Sequence, residues 1–200
     1  MTSVALGFRA HSGWAACVAL AATASLPAVL ERRRVELVDP GTESWAKQPY
    51  HAAHGQGPSE AEEVVRRAVG AAHERAEREV AAIADRLRAR GCRVVALGIA
   101  LGRPMPDWSV AQILAVHARM HQAEGELFRR ALLQAGEAHG LRIAGVPERQ
   151  LQERAAEALE LSADELGRRL AEIGRSAGRP WGRDQKDAAL AAWLALRATW

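Results

Sequence analysis

Apolar residues occur along the chain in two patterns, short runs that are typical of strands and longer stretches with helical spacing. The short runs predict strands at 4–8, 14–20, 28–38, 93–102 and 141–146. Stretches in which apolar residues recur every three or four positions predict helices at 59–90, 109–139, 150–159, 163–173 and 184–197. The run at 93–102 is almost wholly apolar, which favours a central strand that is covered on both faces.

The order of these elements predicts the fold. Three consecutive strands indicate a meander, and the helices and strands that follow indicate two crossover units. We expect one α/β domain over residues 1–200, with a mixed five-stranded sheet and helices on both faces. Residues 39–57 contain several Pro and Gly residues and are predicted to form a long loop, in which Tyr50 and His51 are candidate functional residues.

Residues 14–24 also resemble a signal peptide that ends in a small-residue cleavage motif, Ala22-Thr23-Ala24. We favour the strand interpretation, because 4–8 already has the pattern of a strand and cleavage would remove the first hairpin.

Composition narrows the class of protein. The 27 basic and 24 acidic residues give a net charge of +3, and the two signs are interspersed, which indicates a mixed surface rather than a basic stripe. Cys17 and Cys92 lie in apolar runs without a Cys-x-x-Cys motif, so we expect buried reduced thiols and a cytoplasmic protein. No apolar run reaches the roughly 18 residues of a transmembrane helix.

Two carboxylates open the last predicted helix. Asp184 and Asp187 are three positions apart, so they share one helix face and could bind one metal ion or water molecule. The alternative is structural, since Asp184 could cap the helix and both acids would be favoured by the helix dipole.

A second polar group lies within the apolar face of the helix at 109–139. His117, His121 and Glu124 share one side of that helix and could bind Zn²⁺ or Mn²⁺ with a position left for water. The alternative is a hydrogen-bonded network in the core or at a dimer interface. Thirty helical residues would span about 45 Å, which exceeds a typical strand of about 20 Å. We therefore expect this helix to overhang the sheet or break, with its first half projecting toward the loops or a second subunit.

A basic loop precedes the last helix. Arg179, Trp181, Arg183 and Lys186 could bind a nucleic-acid backbone, with the indole stacking on a base. In the alternative interpretation the loop is a solvated connection and Trp181 docks on the body of the domain.

The element order and several segments resemble the ribonuclease H-like superfamily, and within it the RuvC-like Holliday-junction resolvases. The matching segments are LGFRAHSGW at 6–14, QAEG at 122–125 leading to GLRI at 140–143, Val146-Pro147, and the closing Asp184-x-x-Asp187-Ala188. The resemblance implies cleavage of branched or duplex nucleic acid by four carboxylates around two Mg²⁺ or Mn²⁺ ions, in a homodimer. Only Asp184 and Asp187 match that acid set, because Arg9 stands where those enzymes have an Asp and the central strand carries no acid.

These observations leave three functions open. The first is a divergent metal-dependent nuclease or nucleic-acid-binding protein, in which Asp184 and Asp187 bind metal and His11 is a base or ligand. In that interpretation His11, His51, His117 and His121 would gather near the acid pair, and Arg9 would favour an anion such as phosphate. The second is a catalytically inactive domain that acts as a dimeric protein-interaction module, and the third is a single-metal hydrolase that uses His117, His121 and Glu124.

Overall fold

Five strands form one mixed sheet in the computed structural model, which describes residues 1–197. They are β1 (Thr2–His11), β2 (Trp14–Ala21), β3 (Ala28–Glu36), β4 (Cys92–Leu101) and β5 (Arg142–Pro147). Their order across the sheet is β3-β2-β1-β4-β5. The β1–β2 and β2–β3 pairs are antiparallel, whereas β1–β4 and β4–β5 are parallel. The predicted meander and two crossover units are therefore confirmed.

The helices cover both faces of this sheet. They are α1 (Glu43–Ala46), α2 (Pro49–Ala53), α3 (Pro58–Ala89), α4 (Val110–Leu114), α5 (His117–Ala138), α6 (Leu151–Leu159), α7 (Ala163–Ala177) and α8 (Arg183–Arg197). A short 3₁₀ turn, Glu148–Gln150, follows β5.

Two sequence predictions about these helices need correction. The segment 39–57 contains the short helices α1 and α2 instead of an uninterrupted loop, because Pro49 starts α2 and buried Tyr50 and Ala53 pack it onto the domain. The stretch at 109–139 is two helices, since Val116 between them has an extended backbone. The break agrees with the expectation that so long a helix would overhang the sheet or break.

Side chains alternate between the two faces along β1. Leu6 and Phe8 join the apolar core beneath α3 and α5, whereas Ala5 joins the core beneath α6, α7 and α8. Both cores are buried. The core beneath α3 and α5 contains Cys17 and Cys92, which form no disulfide. Arg9 and His11 have the same parity as Ala5, so they point toward the α8 face.

Helix α8 lies unusually close to the sheet. A Cβ atom at Gly7 would be 1.8 Å from the carbonyl oxygen of Ala188, and one at Gly98 would be 1.9 Å from that of Ala191. The Ala-rich face of α8 therefore rests directly on the backbones of β1 and β4. This packing brings the start of α8, with Asp184 and Asp187, to the end of β1.

A third apolar cluster lies beyond the strands, and its buried members all come from helices. It joins α2, α4, the first half of α3 and the first turns of α5, and we call it the helical annex; its buried members are Tyr50, Ala53, Ala61, Val65, Ile113, Met120 and Ala123. The annex carries the half of the predicted 109–139 helix that bears His117 and His121. Among the described residues, no helix has the length and apolar character to cross a membrane.

Candidate functional site

An arginine surrounded by three carboxylates lies where β1 and β5 end. The Nη1 atom of Arg9 is 2.7 Å from Oε2 of Glu148, and its Nε atom is 3.5 Å from an oxygen of both Asp184 and Asp187. The side chain of Arg9 is only 13% exposed. We call these four residues the Arg9 cluster.

The fold brings these residues together from three separate elements. Arg9 is on β1, Glu148 directly follows β5, and the two aspartates are in the first turn of α8. Because β1 and β5 each run parallel to β4, their carboxyl ends meet at the same edge of the sheet. Sequence reasoning missed Glu148, although an acid directly after the last strand of a parallel set was a usable signal.

Each charge in the Arg9 cluster changes the ionisation of its neighbours. The hydrogen bond from Arg9 lowers the pKa of Glu148 despite partial burial. Burial raises the pKa of Asp187, although Arg9 and Arg183 both act against this shift. Burial also opposes the charge on Arg9, but the hydrogen bond to Glu148 and the three negative charges outweigh it and raise the pKa of Arg9. The arginine is thus a permanent cation among the carboxylates.

His11 lies at the edge of the Arg9 cluster. Its Nε2 atom is 3.1 Å from Oδ1 of Asp184, and its ring stacks on Trp14 with 4.3 Å between ring centroids. The guanidinium of Arg34 covers the Trp14 ring at 3.8 Å. His11 is therefore held in place between an aromatic stack and a carboxylate.

The Arg9 cluster does not fit a pair of Mg²⁺ ions. Mg²⁺ requires close oxygen ligands in octahedral geometry, but the Arg9 guanidinium already lies between the carboxylates that would supply them. A cation bound there would also meet the fixed positive charge of Arg9. The central strand β4 carries no acidic residue that could add an oxygen ligand.

Three histidines form a separate cluster on the helical annex. Nε2 of His117 and Nε2 of His121 are 3.1 Å apart on α5. His51 of α2 completes the group, and one ring nitrogen of each residue lies within 4.8 Å of the other two. Ring centroids are 4.6 to 5.0 Å apart. We call this group the histidine cluster.

Glu124 lies behind the histidine cluster and does not join it as a third ligand. Its Oε1 atom accepts hydrogen bonds from Nδ1 of His51 at 2.8 Å and from the His51 backbone N–H at 3.2 Å. The side chain is 1% exposed, and its Oε2 atom has no hydrogen-bond partner among the described residues. The sequence grouped Glu124 with His117 and His121, but the structure inserts His51 between them. His51 lies on a helix and not on the predicted loop, as does its neighbour Tyr50.

The basic loop before α8 is fixed to the domain. Nε1 of Trp181 donates to the carbonyl of Leu170 at 3.1 Å, and its indole covers Gly174. Arg32 of β3 donates to the carbonyls of Gly178, Arg179 and Pro180. Trp181 is therefore docked on the body of the domain, as in the alternative interpretation, and is not free to stack on a base.

Basic side chains surround the end of the sheet outside the Arg9 cluster. A groove of about 480 Å³ runs beside α8, between Arg149, Arg183 and Lys186. A second groove of about 530 Å³ opens on the other side of Glu148, next to Arg103 and Arg149. Arg183 contacts Glu148 at 3.1 Å and Asp187 at 3.6 Å. Arg103, Arg149 and Lys186 are exposed and form no ion pair with any residue in 1–197.

Comparison with known proteins supports the fold. No protein-family model matches the sequence, and no curated protein matches it. Two solved structures of Thermus thermophilus RuvC are similar, one of them in complex with a Holliday junction substrate. The complex has a TM-score of 0.52 at 13% identity and covers 98% of this chain and 93% of the RuvC chain. The other has a TM-score of 0.51 at 14% identity and covers 97% of this chain and 93% of its own. The chain therefore has the ribonuclease H-like α/β fold of the RuvC structures.

Proposed function

We propose that this protein is a nucleic-acid-binding ribonuclease H-like domain that does not cleave by a two-metal mechanism at the acid pair. The observation that carries the proposal is the Arg9 guanidinium, which lies among Glu148, Asp184 and Asp187 where metal ions would need those oxygens. The built-in cation offsets part of the negative charge of the three carboxylates.

The exposed cations around the same edge support binding to a phosphate backbone. Arg103, Arg149 and Lys186 line the two grooves on either side of Glu148 and have no acidic partner among the described residues. Free arginines and lysines that neutralise phosphates release counterions, which favours association with nucleic acid. A structural neighbour, Thermus thermophilus RuvC, has been solved with a Holliday junction substrate. Branched DNA is therefore the first ligand to test, before duplex DNA.

The other candidate contacts differ in their exposure and in their ion pairs. Arg179 and Lys186 are exposed and available to phosphates, whereas Arg183 is partly engaged by Glu148 and Asp187. Arg9 is enclosed by carboxylates and is a structural cation, so it does not bind the backbone. The Nε2 atom of His11 lies 3.1 Å from Oδ1 of Asp184, so we infer that His11 positions that carboxylate.

The test is fluorescence anisotropy with a labelled four-way junction and a matched duplex, in chelator and in Mg²⁺. We expect binding in both conditions and no cleavage of either DNA with Mg²⁺ or Mn²⁺. The triple variant Arg103→Ala, Arg149→Ala, Lys186→Ala should lose affinity on the order of 100-fold and reduce the salt slope by about 0.9 for each lost contact. The matched control is Arg93→Ala, which removes an exposed arginine at the opposite end of β4 and should leave binding unchanged.

Two results would overturn the proposal. The first is equal binding by the triple variant and the wild-type protein. The second is Mg²⁺- or Mn²⁺-dependent cleavage of the junction that Asp187→Asn abolishes, because this would show an active acid pair. A homodimer and a cytoplasmic location stay predictions from the sequence, and sedimentation of the purified protein tests the first of them.

A further inference from the structure

We propose that His51, His117 and His121 bind one transition-metal ion, with Zn²⁺ as the preferred metal. This site is separate from the Arg9 cluster and does not depend on the proposed nucleic-acid binding. His117 and His121 come from one face of α5, and His51 comes from α2 across the helical annex. The three nitrogens leave a fourth position of a tetrahedral ion open to water.

The distances within the histidine cluster suit such an ion. Two nitrogens bound to one tetrahedral zinc at about 2.05 Å lie about 3.3 Å apart. The Nε2 atoms of His117 and His121 are already 3.1 Å apart. A ring nitrogen of His51 lies within 4.8 Å of both. The i, i+4 spacing on α5 holds the first two ligands on one side of the helix.

Glu124 supplies the support that a metal-bound histidine needs. Its Oε1 atom accepts the Nδ1–H of His51 at 2.8 Å, which fixes the tautomer and leaves the Nε2 lone pair for a metal. The second hydrogen bond, from the His51 backbone at 3.2 Å, fixes the carboxylate against α2. A carboxylate, an imidazole and a metal in series is a common arrangement around protein-bound zinc.

The burial of Glu124 also points to a missing positive charge. The side chain is almost fully buried, and Oε2 has no hydrogen-bond partner. Within residues 1–197, no arginine or lysine forms an ion pair with it, and its ion-pair partner is His51. A buried carboxylate with one unpartnered oxygen is unfavourable, and a divalent ion bound through His51 would provide a compensating charge.

The donor set determines which metal fits. Three imidazole nitrogens suit Zn²⁺ and other late transition metals, whereas Mg²⁺ prefers oxygen ligands. His117 and His121 are exposed, so the fourth position faces solvent. The ion would join the start of α5 to α2, directly after the break at Val116.

The test begins with chelator-treated full-length protein, to which Zn²⁺ is returned and bound metal is measured by elemental analysis. We expect one Zn²⁺ per chain and a rise in melting temperature that chelator reverses, because a ligand that binds only the folded state stabilises it. Co²⁺ in place of Zn²⁺ should give the visible absorption of a four-coordinate site. His51→Ala, His117→Ala and His121→Ala should each remove the stoichiometric metal and the Co²⁺ spectrum.

Two further variants separate the site from general metal binding by histidines. His54→Ala removes an exposed histidine three residues from His51 and should retain full binding. Glu124→Gln keeps the shape of the side chain and should weaken the metal 10- to 100-fold. Melting of each variant in chelator shows whether it is folded. Absence of bound Zn²⁺ in the wild-type protein, or full binding by His51→Ala, would overturn the three-histidine site.

Discussion

The residue at position 9 decides whether the three acids around it can bind a metal ion. An aspartate there would add a fourth oxygen donor group to Glu148, Asp184 and Asp187, whereas the arginine supplies the positive charge itself. The guanidinium cannot lose its proton at neutral pH, so it remains an internal counter-ion. Arg9 therefore offsets part of the negative charge of the three acids, although burial still raises the pKa of Asp187.

Removal of Arg9 should show how much the stability of the fold depends on its charge. Arg9→Ala leaves three neighbouring carboxylates without their central cation, and we expect it to lower the free energy of unfolding by about 3 kcal/mol. Millimolar Mg²⁺ should restore part of this loss in the variant and should not stabilise the wild-type protein. Urea denaturation measures both effects. The control is Arg66→Ala, which breaks the exposed pair with Glu63 and should cost less than about 1 kcal/mol. Equal Mg²⁺ stabilisation of wild type and variant would contradict this account.

The pKa shift of Glu148 gives a second prediction at this scale. Because the hydrogen bond from Arg9 lowers its pKa in the folded state, the ionised side chain stabilises the fold above the unfolded pKa of about 4.3. This stabilisation is lost as the pH falls through the folded pKa. Glu148→Gln should therefore be less stable than wild type by about 1 kcal/mol at neutral pH, after allowance for solvent screening.

The difference between Glu148→Gln and wild type should shrink when the pH is lowered from neutral to below the unfolded pKa of about 4.3. Asp187 responds to the same substitution, because the charge of Glu148 is one of the causes that raise the pKa of Asp187. Urea denaturation at neutral pH and at the acidic pH measures the difference in unfolding free energy between variant and wild type. An equal difference at both would show that the ion pair with Arg9 does not stabilise the fold.

At the scale of elements, the approach of α8 to the sheet decides where the acid pair lies. Gly7 and Gly98 let the backbone of α8 rest on β1 and β4, and small alanines on α8 complete the contact. A helix held further from the sheet would carry Asp184 and Asp187 away from Arg9. Two glycines on neighbouring strands therefore determine the geometry of the Arg9 cluster.

Substitution of Gly98 tests this close contact. A Cβ atom there would lie 1.9 Å from the carbonyl oxygen and 2.3 Å from the carbonyl carbon of Ala191, and neither backbone atom can move without shifting α8. Gly98→Ala should cost about 3 kcal/mol or more. The matched control is Gly70→Ala on an open face of α3, where no atom lies within 4 Å. That change should stabilise the protein by about 0.5 to 1 kcal/mol through helix propensity. Similar melting temperatures for the two variants would contradict the packing.

At the scale of the whole molecule, two polar sites of different chemistry are carried by different elements. The Arg9 cluster lies on the α8 face and contains oxygen donors around an internal cation. The histidine cluster belongs to the annex that extends α3 and α5 past the strands, and it contains nitrogen donors. No residue belongs to both clusters. The chain thus carries the Arg9 cluster at the end of β1 and β5 and a candidate metal site in the annex.

Much of the architecture could be predicted from the sequence. Alternation in β1, the apolar run of β4 and the helical spacing around Val65 and Leu132 are local patterns, and they report which side of each element is buried. They predicted five strands in a mixed sheet, and the length of the 109–139 stretch predicted that it would overhang or break. The Pro- and Gly-rich segment 39–57 was predicted less well, because helices as short as α1 and α2 depend on packing rather than on their own pattern.

The sequence by itself determined the sheet, its two buried faces, and the placement of Asp184 and Asp187 on one turn of α8. Only the tertiary structure decided that Glu148 meets Arg9 and that His51, not Glu124, faces His117 and His121. The physical reason is the range of each signal. Periodicity records how a residue faces the core within its own element, whereas these contacts join residues far apart in the chain. They depend on how closely α8 approaches the sheet and on how α2 lies against α5, which no local pattern records.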